Sequence, residues 1–135
     1  MDTVRISACG YSFTARFEAA APQTAAHVRT LLPYRQRIIH VRWSGEACWI
    51  PLGDLDTGLG YENATSYPAP GQIILHPGSV SETEFLIAYG PCCFASKAGQ
   101  LAGNHVLTIT EGLDDLATLG RKVLWDGVQD IVFEA

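Results

Sequence analysis

The sequence predicts a mainly β fold in which eight strands close into a barrel, accompanied by two short helices. Three observations lead to this prediction. Polar and apolar residues alternate in several short segments, turn residues separate those segments, and no succession of strands and long helices indicates a parallel sheet. Closure suits such a chain because a closed antiparallel sheet leaves no strand edge unpaired.

The length and composition of the chain indicate one globular domain over residues 1–135. Hydrophobic residues make up 47% of the chain and charged residues 17%, which favours a packed core over disorder. No apolar stretch approaches the ~18 residues that span a bilayer, and the N-terminus lacks the apolar segment of a secretory signal. We therefore expect a cytoplasmic protein that does not associate with membranes.

The first element is a β-hairpin, followed by one helix. Residues 3–8 and 13–18 alternate between polar and apolar side chains on either side of a short turn, which is typical of paired strands. Residues 22–33 carry apolar side chains at helical spacing. Pro22 opens this segment and Pro33 ends it, so the sequence predicts a short helix that covers the sheet.

A second hairpin follows, with strands at residues 38–43 and 47–50 around the turn pair Ser-Gly. The side chains of Ile39, Val41 and Trp43 share one face of the first strand, and we expect that face in the core. The three tryptophans of the chain, being large and apolar, are likewise expected mainly in the core. Trp49 is the one that we also allow in a pocket wall.

The second half of the chain continues with strands and one more helix. Apolar runs at 72–76 and 84–89 predict two strands, and residues 105–110 predict another. Leucines spaced three apart predict a helix over 113–119, closed by a glycine. Residues 122–125 and 129–133 are the last two predicted strands.

Several motifs resemble an uncharacterised bacterial domain family with a cyclophilin-like fold. They are ENATSYPAPGQIILHPG from Glu62, SETEFLIAYG from Ser81, FASKAGQLAGNHVLTI from Phe94 and LW-G-Q-DI-F near the C-terminus. The resemblance implies a closed eight-stranded barrel with two helices and supplies no established activity. True cyclophilins carry an F-H-R-V-I-like strand and a Q-G-G-D-like loop, and since neither occurs here, prolyl isomerase activity is not expected.

Two loops carry the polar groups that a ligand pocket needs. The connection 51–71 is too long for an ordinary turn, and its segment 61–67 offers a carboxylate, an amide and a tyrosine wall. The segment 96–105 offers small residues, a lysine, an amide and a histidine. We expect ligand contacts from His40, Trp49, Glu62, Asn63, Tyr67, Ser96, Lys97, Asn104 and His105. His105 and Glu62 are the best candidates for acid–base catalysis.

The remaining patterns limit the choice of partner. A net charge of −5 and a pI near 5.2 argue against nucleic acid. The four cysteines form no C-x-x-C pair and the histidines show no H-x-H spacing, so we expect reduced thiols, no metal and no cofactor.

The favoured function is the binding or processing of a small polar metabolite that carries a carboxylate or an amide. It would lie in a pocket formed by residues 61–67 and 96–105. Two alternatives stay open: a protein- or peptide-binding module with weak or no prolyl isomerase activity, and a structural subunit of an enzyme complex. A homo-oligomer is compatible with each of these.

Overall fold

The computed structural model describes residues 2–135, which form eleven β-strands and two α-helices. The strands are β1 (Thr3–Ala8), β2 (Tyr11–Phe17), β3 (Tyr34–His40), β4 (Gly45–Pro51), β5 (Ala64–Thr65), β6 (Gln72–His76), β7 (Glu84–Cys92), β8 (Ala95–Ser96), β9 (Gly99–Gln100), β10 (Gly103–Glu111) and β11 (Gln129–Glu134). The helices are α1 (Pro22–Leu31) and α2 (Leu116–Asp126), and a 3-10 turn at Leu113–Asp115 precedes α2.

Eight of the strands form a closed antiparallel barrel. Neighbours follow the order β2-β1-β11-β3-β4-β7-β6-β10, and β10 pairs with β2 to close the ring. The two-residue strand β5 pairs with the start of β10, while β8 and β9 form a separate small hairpin. The predicted closed eight-stranded barrel with two helices is therefore confirmed.

The first hairpin shows how local sequence sets this geometry. Only Cys9 and Gly10 connect β1 to β2, and both have positive φ angles, 54° and 81°. Two positive φ angles are the signature of the two-residue turn whose twist matches that of antiparallel strands. In the strands themselves, Val4 and Ile6 alternate with exposed residues and point into the barrel.

The main core fills the barrel, and both helices contribute to it. Helix α1 begins at Pro22 and buries Ala25 and Val28, whereas α2 buries a stripe of residues spaced three or four apart. That stripe consists of Leu116, Leu119, Gly120 and Val123. The spacing explains why the segment 122–125, predicted as a strand, is helical: its one buried residue continues the helical stripe.

A second, smaller apolar cluster lies on the outer face of the barrel wall. It joins Ala47, Ile74 and Leu86 of the strands to Phe94 and Leu101. The last two residues flank β8 and β9, so the segment 94–101, which we call the outer hairpin, packs against the wall from outside. This part of the wall is consequently covered on both faces.

Three predictions about β3 and the tryptophans are wrong: the end of the strand, its core-facing residue and the burial of two tryptophans. The strand ends at His40, and Ile38, not Ile39, is the core residue, with no exposed surface. Trp43 is 56% exposed and Trp125 is 82% exposed, so the expectation that they lie in the core is wrong. Trp43 follows the end of β3, and Trp125 lies on the outward side of α2.

Candidate functional site

The best-formed cleft lies beside the outer hairpin and has a volume of about 220 Å³. Its walls come from the end of β3, the strand β4, the segment leading into β7, and the outer hairpin. Its lining residues are Ile39, His40, Val41, Arg42, Trp43, Ser44, Trp49, Ser81, Glu82, Glu84, Ala95, Ser96 and Lys97.

Strand register places the floor of this cleft on the outer face of the barrel. Ile39 pairs with Trp49, which pairs with Leu86 on the next strand. Leu86 belongs to the outer apolar cluster, and residues directly opposite each other in a sheet share a face. Trp49 is half-buried at this floor, and the exposed indole of Trp43 borders the same cleft.

The outer hairpin is fastened to the turn between β3 and β4 by one serine. The buried Ser44 hydroxyl donates a hydrogen bond to the carbonyl of Ala95 at 3.1 Å and accepts one from the amide of Ala95 at 3.0 Å. Ser96 and Lys97 follow Ala95 directly, and they line the cleft together with Trp49. All three are ligand contacts predicted from the sequence.

Glu84, at the start of β7, is the buried ionisable group of the cleft. Its register partners are Pro51 on β4 and His76 on β6, which puts its side chain on the outer face with Trp49. It is 6% exposed. Burial raises the pKa of this carboxyl to about 8, and the neighbouring charge of Glu82 adds to the rise. Glu84 is not among the ligand contacts predicted from the sequence.

Charges are unevenly distributed along the cleft. Arg42, close to the Gly45 end of β4, and Lys97 on the outer hairpin are both exposed. Glu82 and Glu84 lie at the opposite end, since Glu84 pairs with Pro51, the last residue of β4. Arg42 therefore lies at one end of the cleft and the two glutamates at the other, while Lys97 reaches the cleft from the outer hairpin.

His40 borders the cleft, but protein groups occupy both ring nitrogens. Nδ1 lies 2.9 Å from the Val41 carbonyl and Nε2 lies 2.7 Å from the Tyr89 hydroxyl. A carbonyl only accepts, so Nδ1 donates to it, and the Tyr89 hydroxyl, which can donate or accept, occupies Nε2. The residue opposite His40 is Cys48, a core residue, which agrees with a ring turned away from Trp49.

Glu62 and Asn104 are joined in a hydrogen-bond network that holds the long connection to α1. Glu62 Oε1 accepts from the Thr24 amide at 2.5 Å and from its hydroxyl at 2.8 Å, which caps the first turn of α1. Asn104, fully buried, accepts from the Glu62 amide and donates to Thr24 Oγ1 and to the Gly60 carbonyl. These groups already have protein partners.

Asn63 and Tyr67 join the same two loops closer to the surface. Asn63 has a φ of 50°, donates to the His105 carbonyl at 2.9 Å and accepts, through its own carbonyl, from the His105 amide. The Tyr67 hydroxyl donates to Gln100 at 3.4 Å, and this tyrosine is 65% exposed. The segments 61–67 and 96–105 thus meet, but protein hydrogen bonds fill their contact, and the cleft opens onto Ser96 and Lys97 instead.

His105 forms a separate cluster on the outside of β10. Its Nε2 lies 2.8 Å from Thr108 Oγ1, which donates to Glu18 at 2.7 Å, and Arg16 pairs with Glu18 at 3.4 Å. Thr108 gives its proton to Glu18, so the Nε2 of His105 must be the donor to Thr108. Burial lowers the pKa of His105, although Glu18 opposes the shift. This cluster does not line the cleft.

A second depression, of about 610 Å³, separates the connection 53–61 from the turn 77–83. Its ionisable residues are Asp54, Asp56 and Tyr61, and no basic residue lines it.

In residues 2–135, no three side chains of His, Cys, Asp or Glu converge in a way that could hold a metal ion. Neither described helix combines the length and the apolar character needed to cross a membrane.

The fold and the cleft define a small closed β-barrel with a polar and aromatic cleft on its outer wall. The chain belongs to the DUF3830 family, a family of unknown function, which matches residues 4–135. Among solved structures, it is similar to McbB in complex with tryptophan, with a TM-score of 0.74 and 19% sequence identity. That match covers 97% of this chain but only 44% of the other. No curated protein matches this chain.

Proposed function

We propose that this domain binds a small molecule that has a carboxylate and a flat apolar body, and that it does so in the cleft beside the outer hairpin. One observation carries the proposal: two indoles, Trp43 and Trp49, and two cations, Arg42 and Lys97, border one cleft. Indoles supply apolar contact area, and guanidinium and ammonium groups pair with carboxylates.

The size of the cleft supports a ligand of metabolite size. Pockets for drug-sized ligands measure about 300–1,000 Å³, whereas this cleft has about 220 Å³. The similar structure, McbB, is in complex with tryptophan, and L-tryptophan is for that reason one of the probes below. Of the predicted ligand contacts, four line the cleft: His40, Trp49, Ser96 and Lys97. The other five bond to protein groups in the surrounding loops and strands: Glu62, Asn63, Tyr67, Asn104 and His105.

Isothermal titration calorimetry with 4-methylphenylacetate, its amide and L-tryptophan tests the proposal. We expect 4-methylphenylacetate to bind more tightly than its amide. Trp49→Ala should weaken binding tenfold or more, about what loss of a central aromatic contact costs. Lys97→Ala should weaken it roughly two- to fivefold, as befits an exposed ion pair.

Lys122→Ala is the matched control for Lys97→Ala. Lys122 is an exposed lysine that pairs with Asp126 on α2 and does not line the cleft. Its replacement removes the same charge and should leave the dissociation constant unchanged. Failure of all three probes to bind, or equal binding by wild type, Trp49→Ala and Lys97→Ala, would reject the cleft as a carboxylate site.

A further inference from the structure

The buried carboxyl of Glu84 has no protein partner. Among residues 2–135, no hydrogen bond or ion pair reaches its oxygens, and yet only 6% of the residue is exposed. Glu84 lines the cleft, and its oxygens keep some contact with solvent, because the Nε2 of His76 is the one enclosed side-chain atom without a partner among the described residues. A group that enters the cleft can therefore replace that solvent and pair with the carboxyl.

The surroundings of Glu84 show which kind of group that is. Across the sheet, His76 donates from Nδ1 to the Ala102 carbonyl at 2.8 Å, and its Nε2 makes no hydrogen bond to Glu84 or to any other described residue. Pro51, on the other side, has no amide proton to donate. The ionisable and charged groups around the cleft are His40, Arg42, His76, Glu82 and Lys97. The charge that acts on Glu84 is the negative one of Glu82.

We propose that Glu84 binds an ammonium group, and that the ligand of this cleft carries its ammonium and carboxylate groups at opposite ends of an apolar body. This inference rests on the proposed function for its carboxylate end. The ammonium end has its own support: a buried, unpartnered carboxyl beside a second carboxylate, Glu82, is complementary to a cation with several donors.

The separation of charges in the cleft selects the class of ligand. Glu84 pairs with Pro51, the last residue of β4, whereas Arg42 and Ser44 precede Gly45, its first residue, and Trp49 lies between the two ends. A molecule with both charges on one carbon can place only one of them at Glu84 or at Arg42, whereas charges held apart by an apolar body can reach both.

Ammonium binding requires Glu84 to give up a proton. With a pKa of about 8, about nine-tenths of the carboxyl is protonated at pH 7. The bound pair is carboxylate and ammonium, so the carboxyl proton passes to the buffer while the ligand keeps its own. Binding should therefore release close to one proton at pH 7, and affinity should rise about tenfold from pH 6 to pH 7.

Matched probes test this assignment. 4-(Aminomethyl)phenylacetate and L-phenylalanine are isomers that differ in where the ammonium group lies, and 4-methylphenylacetate lacks that group. We expect 4-(aminomethyl)phenylacetate to bind about tenfold or more tightly than either of the others, in line with a charge-assisted hydrogen bond. Calorimetry in two buffers of different ionisation enthalpy measures the released proton.

Glu84→Gln keeps the shape of the side chain and removes its titration. In this variant the preference for 4-(aminomethyl)phenylacetate over 4-methylphenylacetate, the proton release and its pH dependence should all vanish. A variant that retains the preference and the proton release overturns the role of Glu84. L-Phenylalanine binding as tightly as its isomer overturns the separated-charge ligand.

The two proposals fail in different ways. If 4-methylphenylacetate binds wild type and the added ammonium group changes nothing, the Glu84 assignment is wrong and the carboxylate site stands. If 4-methylbenzylamine binds with proton release that Glu84→Gln abolishes, while 4-methylphenylacetate does not bind, Glu84 is confirmed as the ammonium site and the carboxylate end is wrong. If no probe binds, both are wrong.

Discussion

Replacement of Glu84 by glutamine should make the protein more stable at neutral and alkaline pH. The ordinary pKa of this side chain is 4.5, and burial raises it to about 8 in the folded protein. Between these two values the folded state holds a proton that the unfolded state has lost. The free energy of unfolding of wild type therefore falls as pH rises through this window, and the loss is complete above the folded pKa.

The size of the effect follows from the same two values. One unit of pKa is worth about 1.4 kcal/mol, so the full shift corresponds to roughly 5 kcal/mol. Part of this is already lost at pH 5, and roughly 4 kcal/mol remains to be lost between pH 5 and pH 9. That amount is a large fraction of the stability of about 5–15 kcal/mol that domains have. Glutamine does not titrate, so the variant escapes the loss.

Urea unfolding at unit steps from pH 5 to pH 9 measures this difference. We expect the curves of wild type and Glu84→Gln to diverge by about 1.4 kcal/mol per pH unit up to pH 8 and then to run parallel. Glu134→Gln, an exposed glutamate at the end of β11, controls for the lost charge and should follow wild type. Parallel curves for wild type and Glu84→Gln over the whole range would refute the reasoning.

Three further predictions concern the fold around the cleft. Asn104→Ala removes three side-chain hydrogen bonds and should lower the free energy of unfolding by about 2–4 kcal/mol, as measured by urea unfolding. An unchanged urea midpoint would show that these hydrogen bonds do not stabilise the fold. Gly120→Ala places a methyl group against the ring of Tyr89 and should lower the free energy of unfolding by about 1–3 kcal/mol, whereas exposed Thr118→Ala should not. Cys48, 4% exposed and with a pKa raised to about 12 by burial, should resist iodoacetamide at pH 8 until urea is added, as mass spectrometry of its peptide will show.

The barrel could be predicted because several strands bury only one face. In β1, Val4 and Ile6 alternate with exposed residues, so the period of two is visible in the sequence. In β3 the same period of two predicted the wrong face of the strand for the core. Ile38 faces the core while Ile39 faces the outer cleft, and a wall covered on both sides places apolar residues at successive positions, which hides the direction of the core.

The end of α2 was mispredicted for a different reason. A glycine at position 120 predicts the end of a helix, but Gly120 lies within α2. The position needs a glycine because the ring of Tyr89 occupies the space that a side chain would fill. Tyr89 is distant in sequence, and no local pattern announces that contact. Sequence reasoning therefore assigned residues 122–125 to a strand.

The candidate site was predictable in its outer hairpin and not in its acidic end. Polar residues in loops indicated ligand groups, but Glu62 and Asn104 meet partners 38 and 80 positions away, which satisfy them within the fold. The sequence contains one indication that Glu84 is unusual. An acid at the head of the apolar run 85–89 is anomalous, because glutamate is almost never fully buried without a role or a partner.

The strand β11 completes the barrel wall with residues that are far in sequence from both of its neighbours. Residues 129–134 lie between β1 and β3 and pair with each of them. Until β11 is in place, β1 and β3 each present an unpaired edge to other folding chains. Because these pairings are long-range, they form late compared with the local hairpin of β1 and β2. A factor that shields those two edges would raise the yield of folded protein without altering its final stability.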